Sequence, residues 1–178
     1  MLGLVDHAND LKQLPRMGWL LSGVDPAESV AEHSYGVALW TLLLAESINA
    51  DWRVEGLTGP IDVERALRLA LLHDLAESRL TDLPKRSADL IGADVKHAAE
   101  AQAMVELMQD LPWGLEYLRL WQEYDAAATA VARLVKDADK LEMVHQAWRY
   151  QQRGHANLDE FWDNPKNFRD MGLKRASE

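Results

Sequence analysis

The stretch Leu69-Ala70-Leu71-Leu72-His73-Asp74-Leu75-Ala76-Glu77 sets three ionisable side chains inside an otherwise apolar run. Its flanks read as helix: Asp62 is a cap, and Leu67, Leu71, Leu72 and Leu75 recur on the inward side of a helix from Val63 to about Arg79. At about 100° per residue, His73, Asp74 and Glu77 share one sector about 100° wide. Three such groups on a core helix are costly unless something compensates them. A divalent cation would do so, taking imidazole nitrogen and carboxylate oxygen as ligands, with Glu77 in reach of a water on the metal. The competing reading is a buried ionic cluster tying helices together, an arrangement seldom kept for stability alone.

On either side the pattern stays helical. Val5 to Leu14 forms a short amphipathic helix stopped by Pro15, and a loop runs from Arg16-Met17-Gly18-Trp19 to Asp25-Pro26. The next helix starts either at Asp25, with Pro26 in its first position, or at Ser29, which forms a capping box with Glu32. It runs to about Ala50, and its apolar middle marks it as central. Beyond the His73 helix, Thr81 to Gly92 is mostly loop, broken by Pro84. Asp94 caps a helix to about Leu111, ended by Pro112. Leu115 to Tyr124 is a shorter segment. Asp125 caps a long helix to about Arg153, with Gly154 as its stop, and Asn157 to Trp162 adds a turn before a polar tail. No stretch alternates with period two, so the fold class is all-α, a compact bundle of about six main helices.

A chain of 178 residues, 48% hydrophobic, suits one domain, residues 1–178, that buries about 70% of its unfolded surface. With no cysteine, disulfides, thiolate ligands and a cysteine nucleophile are excluded. Nineteen basic against twenty-nine acidic side chains give a net charge of −10. That balance argues against a general grip on nucleic acid, which needs clustered Lys and Arg. A small phosphate ester can still bind where positive charge is concentrated, for example as a metal ion. Asp6 and Asp10 near Met1 exclude a signal peptide, and the longest apolar run, Val37 to Ala45, is too short for a membrane span. The expectation is a cytoplasmic protein without membrane contact.

Two further signals accompany His73. His33 lies in Glu28-Ser29-Val30-Ala31-Glu32-His33-Ser34, near the start of the central helix. The segment Asp137-Ala138-Asp139-Lys140-Leu141-Glu142 lies on the last long helix, where Asp137 and Asp139 flank the apolar stripe on opposite sides. Periodicity admits only one of them to a given site and leaves the choice open. Glu142 and His145 have the Glu-x-x-His spacing of di-iron bundles, but no second such pair occurs in the chain. His97 and His145 read as structural, His7 and His155 carry no signal, and Lys85-Arg86 reads as a solvated pair.

Taken together, His33, His73-Asp74 and a later Asp resemble the H…HD…D signature of the HD superfamily of metal-dependent phosphohydrolases. Arg16-Met17-Gly18-Trp19, His73-Asp74-Leu75-Ala76-Glu77, Thr81-Asp82-Leu83-Pro84 and Asp137 to Glu142 are similar to strings of its 5′-deoxynucleotidase branch, a likeness running from about residue 11 to about 145. The resemblance implies His33, His73, Asp74 and Asp139, rather than Asp137, as ligands of one divalent metal, with Asp74 and Glu77 catalytic. It implies Arg16 on the phosphate, Trp19 shaping the sugar pocket and Asp82 on the deoxyribose. Family members often have Gly before that Asp. Thr81, being β-branched, disfavours the positive φ that Gly allows, which predicts a different loop path.

The activity so implied is hydrolysis of deoxyribonucleoside 5′-monophosphates to nucleoside and phosphate. Competing readings are an HD enzyme for a cyclic nucleotide or guanosine polyphosphate, and a non-hydrolytic nucleotide-binding regulator. Two nitrogens and two carboxylates suit Mn, Co, Fe or Zn better than Mg. The resemblance also implies a homodimer; Trp113, Leu118, Trp121 and Trp148 are candidate contacts, with core packing as the alternative reading of each.

Overall fold

The protein is described by a computed structural model over residues 1–162. Its helices are α1 (Leu2–Asp10), α2 (Met17–Leu21), α3 (Val30–Ala50), α4 (Val63–Leu72), α5 (Glu77–Leu80), α6 (Lys85–Ile91), α7 (Ala93–Met108), α8 (Gly114–Asp125), α9 (Ala130–Gln152) and α10 (Asp159–Trp162). Six of these have nine residues or more, which matches the number of main helices expected. Among the described residues there is no strand, only an isolated bridge between Pro15 and Ser29. The polar tail beyond residue 162 lies outside the described residues.

Of the two possible starts for α3, the chain uses Ser29. Its hydroxyl accepts the Glu32 N–H at 3.2 Å, and the Glu32 carboxylate accepts the Ser29 N–H at 2.7 Å. This pair satisfies donors that the first helical turn leaves open. Helix α3 packs against both α4 and α9. Val30, Val37 and Ala45 are fully buried there with Leu69 and Ala70 of α4 and Leu134, Val135 and Ala138 of α9. Each such Val or Leu contributes roughly 1.5–3 kcal/mol of burial. A second cluster, Trp19, Val24, Ala147, Tyr150, Leu158 and Phe161, joins α2 and α10 to the end of α9. His33 and His73 thus sit where three packed helices meet.

Several expectations are corrected. The His73 helix does not run unbroken to Arg79. It ends at Leu72, and the N–H groups of Leu75, Glu77, Ser78 and Arg79 each bond the carbonyl three residues back. This tightening eclipses positions three apart, so Asp74 and Glu77 come onto one edge. Leu71, expected inside, is 66% exposed. The segment expected as loop before Gly92 contains α6. Gly92 rather than Asp94 precedes α7, and no side chain caps it. Asp125 closes α8 instead of opening α9, which Thr129 caps through Ala132 N–H at 3.1 Å. Trp121, a candidate for either a subunit interface or the core, belongs to the core: it is only 3% exposed and donates its Nε1–H to the His73 carbonyl at 3.3 Å.

Candidate metal centre

Each histidine has one ring nitrogen committed to a fixed acceptor. The Nδ1 of His73 lies 2.7 Å from the Ala70 carbonyl oxygen, and that of His33 lies 2.6 Å from Glu142 Oε2. Carbonyl and carboxylate oxygens only accept, so both Nδ1 atoms carry a hydrogen, and in the neutral rings that bind metal each Nε2 is the nitrogen that offers its lone pair. Both Nε2 atoms are buried and lack a hydrogen-bond partner. Between them stand two carboxylates. Asp74 Oδ2 is 3.1 Å from His73 Nε2 and 3.5 Å from His33 Nε2, and Asp139 Oδ1 is 3.1 Å from His33 Nε2. Donor atoms of His33, His73 and Asp139 all lie within 4.8 Å of one another. Two orphaned imidazole nitrogens facing two carboxylates fit a divalent cation with mixed nitrogen and oxygen ligands. Asp139, not Asp137, is the α9 carboxylate that meets His33.

The remaining expected residues surround this point. Arg16 Nη1 lies 3.2 Å from Asp74 Oδ2. Burial works against its charge, but Asp74, Asp82, Glu77 and Asp139 hold the guanidinium above its ordinary range. Burial likewise opposes the Asp74 charge, yet His73, His33 and Arg16 hold the carboxyl well below the usual range. Glu77 is buried, with Oε2 unpartnered, and burial together with Asp74 and Asp82 pushes its pKa well up. A carboxyl group so placed, in a cleft with other ionisable groups, is suited to proton transfer.

Asp82 is 7% exposed and accepts the Met17 N–H at 2.6 Å, tying its loop to the first turn of α2. Thr81 does take up positive φ, at 76° with ψ 162°, so the loop follows the path that its side chain disfavours. Trp19 is 1% exposed, donates Nε1–H to Glu28 at 2.8 Å and packs on Phe161. It is a wall of the site, not an open stacking platform. Arg86 is engaged by Glu160, and Lys85 is exposed at the mouth. His97 pairs with Asp125 at 3.2 Å, and His145 stacks on Trp148.

Two cavities adjoin the centre. One, of about 290 Å³, is lined by Arg16, Asp74, Glu77, Lys96, Lys136 and Asp139 among others. Its neighbour, of about 270 Å³, shares Arg16, Asp82 and Asp139 and adds Trp19, Met143 and Phe161. One is rich in charge and the other partly apolar. Lys96 and Lys136 are functional candidates that the sequence reading missed. Lys96 donates to the Leu83 carbonyl at 3.2 Å, and the Lys136 ammonium lies 4.2 Å over the Tyr124 ring. Lys136 had a usable signal, because it stands one turn before Asp139 on the same side of α9. Tyr124, whose hydroxyl is 3.3 Å from Asp139 Oδ2, had none.

Comparison with known proteins agrees with this architecture. A family model described as HD domain matches residues 8–173. The 5′-deoxynucleotidase hdd1 of Schizosaccharomyces pombe is 34% identical, over 88% of this chain and 76% of its own. The human 5′-deoxynucleotidase HDDC2 is also 34% identical, over 92% of this chain and 76% of its own. A solved structure of a conserved hypothetical protein from Pyrococcus furiosus superposes with a TM-score of 0.79 at 44% identity, over 99% of this chain and 92% of that one. The chain belongs to the HD-domain family, on its 5′-deoxynucleotidase branch.

Proposed function

We propose that this protein is a metal-dependent 5′-deoxynucleotidase that hydrolyses deoxyribonucleoside 5′-monophosphates to deoxyribonucleoside and phosphate. The observation that carries the reading is the pair of buried, unpartnered Nε2 atoms of His33 and His73 facing Asp74 and Asp139 beside Arg16. These four residues would hold one divalent metal, with Mn, Co, Fe or Zn preferred over Mg by the two nitrogens. When bound, the metal would supply a Lewis acid for the phosphoryl oxygens and lower the pKa of water.

The chain's own residues do the rest. Arg16 holds the phosphate and offsets the charge that develops as the ester bond breaks. Lys96 and Lys136 add positive charge around the same cavity, which a chain of net charge −10 needs locally. Glu77, whose Oε2 is buried without a partner, orients the attacking water and, in its ionised form, takes its proton. The partly apolar neighbouring cavity, bounded by Trp19, Phe161 and Asp82, receives the nucleoside. Asp82 spends one oxygen on Met17 N–H, which fixes the carboxylate for a sugar hydroxyl.

The reading includes a cytoplasmic homodimer acting on small nucleotides, without nucleic acid or membrane. No helix among the described residues is long and apolar enough to cross a membrane. The dimer is supported by an exposed row on α3, Tyr35, Leu39 and Leu43, with half-exposed Trp148 of α9 stacked on the groove residue His145.

The test is phosphate release by chelator-stripped protein after adding back single metals. The panel holds 5′-deoxy- and ribonucleoside monophosphates, a 3′-monophosphate, a cyclic nucleotide and a guanosine polyphosphate. Release confined to the 5′-deoxymonophosphates and abolished by chelator is expected. Turnover of another panel member alone would replace the substrate, and binding without turnover would favour a regulator.

A further inference from the structure

Behind the metal-facing side of His33 lies an arrangement to which the proposed chemistry gives no role. Glu142 stands one turn beyond Asp139 on α9, its side chain 7% exposed, and its Oε2 lies 2.6 Å from His33 Nδ1. The opposite wall is α3, and at Gly36, one turn beyond His33, that wall has no side chain. A Cβ at position 36 would lie 2.8 Å from Glu142 Cγ and 2.9 Å from Oε1. Real Cβ atoms essentially never approach so closely, and moving Cγ aside would carry the carboxylate off the imidazole.

Glycine is otherwise a poor choice at this point. It sits inside a 21-residue helix and is not among the glycines with positive φ, so it spends helix propensity and gains no special backbone conformation. The one thing its missing side chain provides is the seat for Glu142. A histidine ligand commonly has its remote N–H held by a carboxylate, which sets both ring orientation and tautomer.

We propose that Glu142, seated against Gly36, is the positioning residue that holds the His33 ring with Nε2 free to bind the metal. The proposal rests on the reading of His33 as a metal ligand. It assigns to Glu142 and Gly36 a role in metal affinity, with neither touching the metal or the substrate.

Co²⁺ is the probe. The full chain, stripped by chelator, is titrated with Co²⁺ against a chromogenic chelator, and the visible absorption of bound Co²⁺ is recorded alongside. Glu142→Ala is expected to weaken Co²⁺ binding about 10–100-fold and alter that spectrum. Glu142→Gln keeps an oxygen that accepts the Nδ1 hydrogen, and is expected to recover most of the affinity. Gly36→Ala is expected to weaken binding as Glu142→Ala does, and the double variant to lose no more than Glu142→Ala alone, since both act on one contact. Far-UV circular dichroism checks that each variant is folded, and Gly36→Ala places the better helix former in α3. Parent-like Co²⁺ affinity in folded Glu142→Ala or Gly36→Ala would overturn the proposal. So would a Glu142→Gln variant no better than Glu142→Ala. A parent chain that binds no Co²⁺ would instead remove the ligand reading beneath it, whatever the variants do.

Discussion

A carboxyl group that keeps its proton to about pH 7 costs the fold something when it ionises, and Glu28 is such a group. Burial first, then the charge of Glu142, push it up to about 7. In the unfolded chain it ionises near the ordinary value of 4.5, so between these two pH values the folded state binds the extra proton. The contribution of Glu28 to the stability of the metal-free protein therefore falls as pH rises through that window, by at most about 1.4 kcal/mol per unit, and is level above it. Glu28→Gln keeps an acceptor for Trp19 Nε1–H and removes the titration. Its melting temperature relative to the parent is expected to be higher at pH 8 than at pH 5, and parallel melting profiles would refute this. Glu77 and Asp74 separate differently. Glu77→Gln is expected to keep Co²⁺ binding while kcat falls about 100-fold or more, and Asp74→Asn to lose both. A Glu77→Gln enzyme as fast as the parent would end the role given to Glu77. Of these positions, His33, His73, Asp74 and Glu77 were legible because ionisable groups stand out on apolar helices. Asp139 was not separable from Asp137 by periodicity. Which flank of α9 faces His33 depends on how that helix is rotated against α3, and no local pattern encodes it.

The turn from α5 to Asp82 stores strain. Thr81, at φ 76° and ψ 162°, occupies a region that essentially only glycine enters freely, at a cost of about 1–3 kcal/mol for other residues. Its N–H bonds the Glu77 carbonyl at 2.7 Å, and Asp82 is pinned by Met17 N–H, so both ends of the turn are held and Thr81 yields. Its side chain is exposed, so little packing is lost on removal. Thr81→Gly is expected to stabilise the protein by about 1 kcal/mol net of the entropy that glycine adds to the unfolded chain. In a chain this long that is a rise of roughly 2–4 °C in melting temperature, and an unchanged or lowered value would show the turn to be unstrained. The expectation that Thr81 keeps out of positive φ failed here because two hydrogen bonds outweigh one residue's preference. Elements with an apolar face were legible from sequence, as with α3, α4 and α9. Helix α6 was not: none of its residues is buried, and Leu90 is 88% exposed, so no inward periodicity exists to read. At the start of α9, Asp125 and Thr129 are both good caps. The choice follows from the turn between them, where Ala127 takes φ 48°.

Helix α3 buries one side in the core and leaves Tyr35, Leu39 and Leu43 on another, 73%, 45% and 56% exposed. These positions are four apart, so they form a continuous apolar line along the helix. Beside it runs a groove of about 610 Å³ between α3 and α9 that also contains Glu28, Trp40 and Glu142. An apolar row of this length on the surface of a monomer is a liability, and covering it with the same face of a second chain closes a two-fold assembly. The predicted dimer therefore uses this face, not the buried Trp121. It must bury on the order of 1,200 Å² or more in total to be stable, which a helix pair and its flanks can supply. The double variant Leu39→Glu with Leu43→Glu sets charges into the centre of that contact and leaves the core and the metal ligands untouched. Light scattering coupled to gel filtration is expected to give a dimer for the parent and a monomer for the variant, with Co²⁺ binding retained in both. A monomeric parent would remove the dimer itself. A variant that stays dimeric would move the interface to the other exposed aromatic side chain from the original set, Trp113, which is 42% exposed. Because Glu142 lines the groove with one side of its chain and holds His33 with the other, a dimer formed here would shield the carboxylate behind the metal centre from water.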